Sequence, residues 1–261
     1  MVGIVADGQV PVLIPAFNNP TYVAGMVGQL LRFPELRPVV LDNGSAYPPS
    51  FDLYRRWAAE GLAPARVLVV PLGRNLGPRA VWHDADFLRA LPRHFCLTDP
   101  DLALNPKLPA DFPAVLRRVA ETFRVGKVGF ALSLDDRDLM QDQPFRHADG
   151  WKRIWDSEAV HWQDPVTMPG LAAPLFRADI DTTFALYDRA WFDPLRPFPG
   201  IRIGGDFASR HLPWYRDTGL PAEEEAFYRR AAEYSYYMGD RPAVQLRALF
   251  ARQDGRAGIA A

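Results

Sequence analysis

An α/β architecture, with a mostly parallel sheet covered by helices on both faces, is the fold class that this sequence predicts, and three observations predict it. Short, nearly continuous apolar runs alternate with amphipathic helical stretches through the first half of the chain, the pattern of βαβ units. The runs are continuous rather than alternating, as strands buried on both faces require. Each run closes on a polar turn, and the turns after the first, second and fourth runs carry Asn18, Asp42 and Asp99. In such sheets ligands bind at the carboxyl ends of the strands, so these three turns are expected to share one edge.

Val10 to Phe17 reads as a buried strand that stops at Asn18, Asn19 and Pro20. Thr21 to Phe33 places Val23, Met26, Val27, Leu30 and Leu31 at helical spacing, and Pro34 ends the helix. Pro38 to Leu41 is the second strand, halted by Asp42, Asn43, Gly44 and Ser45. The pattern then repeats with a helix from Phe51 to Glu60, a strand from Arg66 to Pro71, a helix from Pro78 to Leu91 and a strand from His94 to Thr98. A helix over Ala110–Phe123 and a strand over Lys127–Leu134 follow. Beyond residue 135 the alternation is lost. Ile180–Tyr187 and Arg196–Gly204 read as strands, Pro221–Met238 as a helix, and 251–261 as a flexible tail. No linker composition divides the chain, so residues 1–250 are expected to form one domain, with halves meeting near residue 134.

Thirty basic against 31 acidic residues give a net charge of −1, which leaves no electrostatic footprint for nucleic acid or an anionic membrane surface. The single cysteine, Cys96, can form no internal disulfide and sits in an apolar run, where it is expected to fill core. No stretch approaches the length of a membrane span and Met1 to Gln9 lacks the pattern of a signal peptide. These features predict a soluble, cytoplasmic protein.

The run Phe95 Cys96 Leu97 Thr98 Asp99 Pro100 Asp101 ends a strand on two carboxylates one residue apart. Hard oxygen ligands in that arrangement suit Mg²⁺ or Mn²⁺, which leave other positions to water and substrate phosphates. An acidic turn can equally serve only to cap or solvate a strand end. The Asp42 turn can likewise be an Asx turn or a base and ribose contact. Asn75, Gly77 and Arg79 open the helix after the third strand, where backbone N–H groups can face an anion, or where an ordinary helix simply begins.

Taken together, Ile14 Pro15 Ala16 Phe17 Asn18, Leu41 Asp42 Asn43 Gly44 Ser45 and Asp99 Pro100 Asp101 resemble the nucleotide-sugar-binding half of GT-A glycosyltransferases of the family 2 type, over roughly residues 10 to 105. Arg74 to Ala80 resembles the family's Asn-x-Gly element, whereas Trp82, His83 and Asp84 depart from its continuation. The resemblance implies a GT-A fold whose 10–134 half holds a nucleoside-diphosphate sugar, expected to be UDP-linked, through Pro15, Ala16, Phe17, Asn18, Asp42, Asn75, Arg79 and Asp99. It implies metal ligation by Asp101, with Asp99 reaching the ribose or a metal-bound water, and a third ligand from the second half. Among five histidines, His211, within Gly204 Gly205 Asp206 Phe207 Ala208 Ser209 Arg210 His211, is the candidate; its alternative is to pack against Trp214 and Tyr215.

The 135–250 half is then the acceptor side, for a carbohydrate, glycan or lipid-linked acceptor. Trp151, Trp155, Trp162, Trp191 and Trp214 are candidates to line a carbohydrate cleft or to fill core. An inverting transferase, the stereochemistry expected here, needs one base near the attacking hydroxyl, and Asp164, Asp179 and Asp181 are the candidates. A nucleotidyltransferase that makes nucleotide sugars is the alternative enzyme, but Pro15 to Tyr22 lacks the Gly-rich, basic loop such enzymes carry. A catalytically degenerate sugar-nucleotide-binding module is the alternative without catalysis.

Overall fold

The computed structural model describes residues 8–231 apart from 84, 143, 148, 149 and 218. Strand β1 (Val10–Ala16), helix α1 (Pro20–Leu30), β2 (Leu36–Asp42), α2 (Pro48–Ala59) and β3 (Leu68–Pro71) follow the expected alternation. Then come two short helices, α3 (Ala80–His83) and α4 (Ala85–Ala90), β4 (His94–Leu97), the two-residue β5 (Leu102–Ala103), α5 (Phe112–Phe123) and β6 (Lys127–Phe130). The second half supplies the hairpin of β7 (Phe145–His147) and β8 (Gly150–Lys152), helix α6 (Ile154–Ala159), β9 (Pro165–Val166), β10 (Leu175–Asp179), β11 (Ala185–Asp188), β12 (Pro199–Ile203), β13 (Arg210–His211) and α7 (Ala222–Ala231).

Nine strands form one mixed sheet in the order β3-β2-β1-β4-β11-β6-β12-β10-β9. Within it β3, β2, β1 and β4 run parallel. Strand β11 then enters antiparallel between β4 and β6, and β12 returns parallel to β6. Only β10 and β11 oppose the common direction. The sheet is therefore mostly parallel and draws strands from both halves of the chain.

Side chains alternate across this sheet as the pleat demands. Val12, Ile14 and Cys96 face one core with α1, α2 and α5, while Leu13, Phe95 and Leu97 face a second core with Val81, Trp82 and Leu91. Cys96 is fully buried and free, so it fills core as expected, and burial pushes its thiol well above the usual range.

Three expectations are corrected. The single helix over Pro78–Leu91 is two pieces, α3 and α4. The strand expected over Ile180–Tyr187 begins only at Ala185, because 180–184 is a connection whose backbone bonds in several directions, Ile180 N–H to Phe198 O and Asp99 N–H to Thr182 O. The strand expected over Lys127–Leu134 ends at Phe130, beyond which Leu132 only bridges Ser209. The expected tail over 251–261 and the second part of the helix expected over Pro221–Met238 lie outside the described residues, as do the side chains of His83, His147 and Trp151. Among the described residues no helix is long and apolar enough to cross a membrane.

Candidate active site

Strand order reverses between β1 and β4, because β1 leads through β2 to β3 on one side while the chain returns to β4 on the other. That switch point is where an open α/β sheet leaves a crevice. The sequence keeps it open. Strand β4 pairs with β1 only through Val12↔Cys96 and Leu13↔Leu97, and the ladder ends with Thr98 N–H donating to Leu13 O. Two residues on, Pro15 would turn its N–H toward the same neighbour but has none to offer, so β1 continues beside β2 alone, through Pro15↔Leu41 and Ala16↔Asp42.

The turns around the crevice are knitted to one another. Asn18 adopts a left-handed conformation (φ 56°), which Asn tolerates better than most residues. Its Oδ1 accepts the N–H groups of Ala46 and Tyr47 at 2.7 and 2.9 Å, and its own N–H donates to Ser45 Oγ at 3.0 Å. Asp42 accepts Ser45 N–H at 2.8 Å and the Tyr54 hydroxyl at 2.7 Å, one on each oxygen. Asn43 Oδ1 accepts Leu76 N–H at 3.2 Å, and Asn75 Oδ1 accepts Gly77 N–H at 2.9 Å. Asn18 and Asp42 are buried. The hydrogen bonds that the structure shows for Asn18, Asp42 and Asn75 thus hold turns. Pro15 and Ala16 are buried strand residues, and Phe17 is partly buried at the start of the first turn.

The expected helix N-terminus behind Asn75 and Gly77 is not formed, since α3 has only four residues and cannot develop a useful dipole. Arg79 instead pairs with Asp181 through two guanidinium nitrogens, Nε to Oδ1 at 2.8 Å and Nη2 to Oδ2, and stacks 5.0 Å from the Phe198 ring.

Asp99, Asp101 and His211 meet at the carboxyl end of β4, each offering one ligand atom within 4.8 Å of the others. Sequence distance is bridged by β13 and β5, which pair His211 with Leu102, and by Leu212 N–H donating to Asp101 O at 2.8 Å. His211 Nε2 stands 3.3 Å from Asp101 Oδ1, and its ring lies edge-on to Trp214 at 5.1 Å. Both alternatives weighed for His211 are therefore realised at once: it faces the carboxylates and packs on Trp214. Asp99 is oriented by Thr182, whose Oγ1 donates to Oδ2 at 2.7 Å and whose carbonyl accepts Asp99 N–H.

The charges favour a cation. Burial, and after it the charge of Asp101, pushes the Asp99 carboxyl up to about 7, against the opposing pull of His211 and Thr182. Burial lowers the His211 imidazole, but the charge and hydrogen bond of Asp101 outweigh it and the net shift is upward. Asp101 Oδ1 is buried and stands 3.3 Å from His211 Nε2. Two crowded carboxylates and an imidazole make a donor set able to hold a divalent metal such as Mn²⁺ or Mg²⁺.

The candidate bases separate. Asp181 lies beside the cluster, its charge felt by Asp99. Asp179 ends β10, which runs against the common direction. The register carries it through Pro199 to the His94 end of β4, the edge opposite Asp99. Asp164 precedes β9, five strands from β4, on the order of 24 Å at the usual strand spacing of about 4.8 Å. It is exposed and its side chain lies 3.8 Å from Arg177. Asp164 and Asp179 are therefore corrected to surface positions away from the cluster.

The four candidate tryptophans with described side chains likewise do not line one cleft. Trp214 is buried beneath His211, Trp191 stands near the opposite edge with Arg93 over its ring, Trp162 packs on Phe176, and Trp155 borders a cavity of the second half.

Sequence reasoning missed Thr182, Lys127 and the Glu158–Arg202 pair. Lys127 is fully buried, and its Nζ donates to the carbonyls of Ile180, Asp181 and Pro197 at 2.6, 2.8 and 3.2 Å while facing the rings of Trp82 and Tyr187. It thereby holds the 180–182 connection that carries Thr182 to Asp99. Glu158 pairs with Arg202 and accepts Leu132 N–H at 3.4 Å, and Arg202 Nε donates to Asp179 O at 2.8 Å. A signal existed for Lys127: it is one of three lysines in a chain that otherwise uses arginine, and a compact ammonium directs three donors from one atom, whereas a guanidinium spreads its donors in a plane.

No protein-family model and no curated protein matches the sequence. Solved structures do match. A mannosyltransferase from Pyrobaculum calidifontis in complex with GDP-Man and Mn²⁺ aligns at 16% identity and a TM-score of 0.45, covering 86% of this chain and 61% of that one. S. aureus TarS 1–349 aligns at 11% identity and a TM-score of 0.43, covering 85% and 64%. GalNAc-T7 with UDP, GalNAc and Mn²⁺ aligns at 12% identity and a TM-score of 0.48, covering 94% and 54%. The chain thus spans less than two thirds of the length of each, and the similarity is a distant one of overall shape.

Proposed function

We propose that this protein is a metal-dependent glycosyltransferase that moves a sugar from a nucleoside-diphosphate sugar, UDP-linked in the simplest reading, to a carbohydrate-type acceptor. One observation carries the reading: the convergence of Asp99, Asp101 and His211 at the switch point of the sheet, where this architecture binds ligands. Asp101 and His211, with Asp99, would hold the ion, and a divalent cation there supplies Lewis-acid neutralisation of a departing diphosphate.

The chain's own residues do the rest. The interlocked turns at Asn18, Asp42–Ser45 and Asn75 give the nucleotide a preformed wall, so little ordering entropy is lost on binding. Thr182 fixes the Asp99 carboxylate. Asp181, alone of the three acids beside the cluster and paired with Arg79, would take the proton of the attacking hydroxyl. A single displacement of this kind inverts the anomeric carbon.

The test is a thermal-shift panel of UDP, GDP, CDP and ADP with and without Mn²⁺. One nucleotide is expected to stabilise the chain only when Mn²⁺ is present, by about 2.7 kcal/mol at 100 times its Kd. Asp101→Ala should abolish that increment without lowering the melting temperature of the free protein. Mn²⁺-independent stabilisation, or an unchanged increment in Asp101→Ala, would overturn the reading. Consumption of the matching sugar nucleotide with Mn²⁺ separates an enzyme from a degenerate binding module.

A further inference from the structure

A second concavity opens in the acceptor half, a cleft of about 520 Å³, within the range of roughly 300–1,000 Å³ usual for small-ligand sites. Its floor is apolar: Met140 and Ile154 are 3% and 5% exposed, and Trp155 stands beside them with its ring fixed by a hydrogen bond from Nε1 to Leu134 O at 3.2 Å. The rim is charged but balanced, with three carboxylates facing three guanidinium groups. Arg153 pairs with Asp142, and Arg137 stacks 4.6 Å from the Trp155 ring.

This cleft is joined to the metal ligand. Gln141 N–H donates to Trp214 O at 2.7 Å, Gln141 Nε2 donates to the carbonyls of Pro213 and Tyr215, and Met140 bridges Tyr215. Asp136, between two rim residues, accepts the Tyr215 hydroxyl at 2.9 Å and pairs with Arg210, so one carboxylate grips the chain on both sides of His211.

We propose that this cleft is the acceptor subsite and that it takes an uncharged, hydroxyl-rich ligand, a neutral saccharide. The inference rests on the glycosyl-transfer reading above. A phosphate or carboxylate would meet as many carboxylates as guanidinium groups and gain no net field. A neutral saccharide, by contrast, uses both kinds of group, since its hydroxyls donate to carboxylates and accept from guanidinium N–H. Its C–H face matches the floor of Met140, Ile154 and the Trp155 edge.

The test is saturation-transfer NMR on the full chain with Mg²⁺, using methyl α-mannoside, methyl β-glucoside, methyl β-galactoside and methyl β-cellobioside beside glucuronate and glucose 6-phosphate. At least one neutral glycoside is expected to bind, to show line broadening when Mn²⁺ replaces Mg²⁺, and to bind at least tenfold more weakly to Asp138→Ala and to Arg153→Ala, both exposed substitutions whose folding circular dichroism checks. Tighter binding of the anionic sugars, affinity unchanged in both variants, or no binding by any neutral glycoside would overturn the assignment. A Mn²⁺ titration of the parent chain by electron paramagnetic resonance keeps the two claims apart: absent Mn²⁺ binding defeats the transferase reading, whereas intact Mn²⁺ binding with any of those outcomes defeats the cleft alone.

Discussion

The two sides of the crevice are built from different materials. On the side of β1 and β2 the turns are held by neutral amides and one carboxylate, either within one turn, Asp42 to Ser45 and Asn75 to Gly77, or from one turn to the next, Asn18 to Ala46 and Tyr47. On the side of β6, β11 and β12 the corresponding connections are held by buried ions from distant parts of the chain: Lys127 under residues 180–182, and Glu158 with Arg202 between Leu132 and Asp179. A neutral turn loses little when its partner is removed, because water replaces it. A buried ion that loses its partner remains in a low dielectric. The second side is therefore expected to be the brittle one.

The largest expected effect tests that brittleness. Burial pushes the Glu158 carboxyl up to about 6 and the Arg202 guanidinium down, so each depends on the other to stay charged. Arg202→Met, which strands Glu158, should cost about 3–5 kcal/mol in urea unfolding, and Arg202→Met with Glu158→Leu should recover most of it. Equal loss in the single and double variants would mean that shape, not charge, holds this side.

Lys127→Met should cost about 2–3 kcal/mol, since three carbonyls lose their donor. It should also change the pH dependence. Burial lowers the Lys127 ammonium to about 7, below its ordinary 10.5. Below pH 7 both states hold the proton and the group adds no slope. Between about 7 and 10.5 the unfolded chain keeps a proton that the folded chain releases, so stability rises with pH there. Chemical denaturation across pH 7–10 should show that rise in the parent and lack it in Lys127→Met; parallel profiles would remove Lys127 from the account.

On the neutral side the effects are smaller. Asn18→Gly keeps the left-handed backbone but loses the acceptor for two N–H groups, about 1 kcal/mol, while Asn18→Ala adds backbone strain and should cost about 2 kcal/mol. Gly44→Ala belongs to the same class, because Gly44 has φ +74° and an added Cβ would stand 3.0 Å from the Arg74 backbone. If either costs as much as Arg202→Met, the contrast between the two sides fails.

The same contrast explains what could be read in advance. Pro15, Asn18, Asp42, Gly44 and the Asp99–Asp101 pair act within their own turns or on the next one, so their residue types announce them. The parallel pairing of the first four long strands and the meeting of those turns at one edge followed from the βαβ alternation, whereas their order did not. His211 was legible only with the resemblance, because β13 and β5 are two residues each and carry no periodicity. Asp179 was misplaced because a sequence does not show which way a strand runs: β10 opposes its neighbours, and its terminal acid falls at the wrong edge. Asp164 was misplaced because a sequence does not show strand order: β9 lies five strands from β4. Glu158 and Arg202 lie in ordinary helix and strand positions, and only burial distinguishes them from surface charges.

Asp99→Asn bears most directly on the site. Its carboxyl, raised to about 7 by burial and then by Asp101, binds a proton more tightly in the folded chain than in the unfolded one. Without metal, this group's contribution is therefore fully favourable below about pH 4 and is lost as pH rises toward 7. The asparagine variant can still accept from Thr182 and carries no charge, so the metal-free protein should be more stable than the parent at pH 8. Mn²⁺ should then divide the two proteins. It must displace the proton from Asp99, so its affinity for the parent should climb as pH rises from 6 to 8, whereas the variant should bind weakly and without that climb. Calorimetric titration in two buffers of different ionisation enthalpy would count the released proton directly, and equal Mn²⁺ affinity in parent and variant would remove Asp99 from the metal site while leaving it as a strand-end residue tied to Thr182.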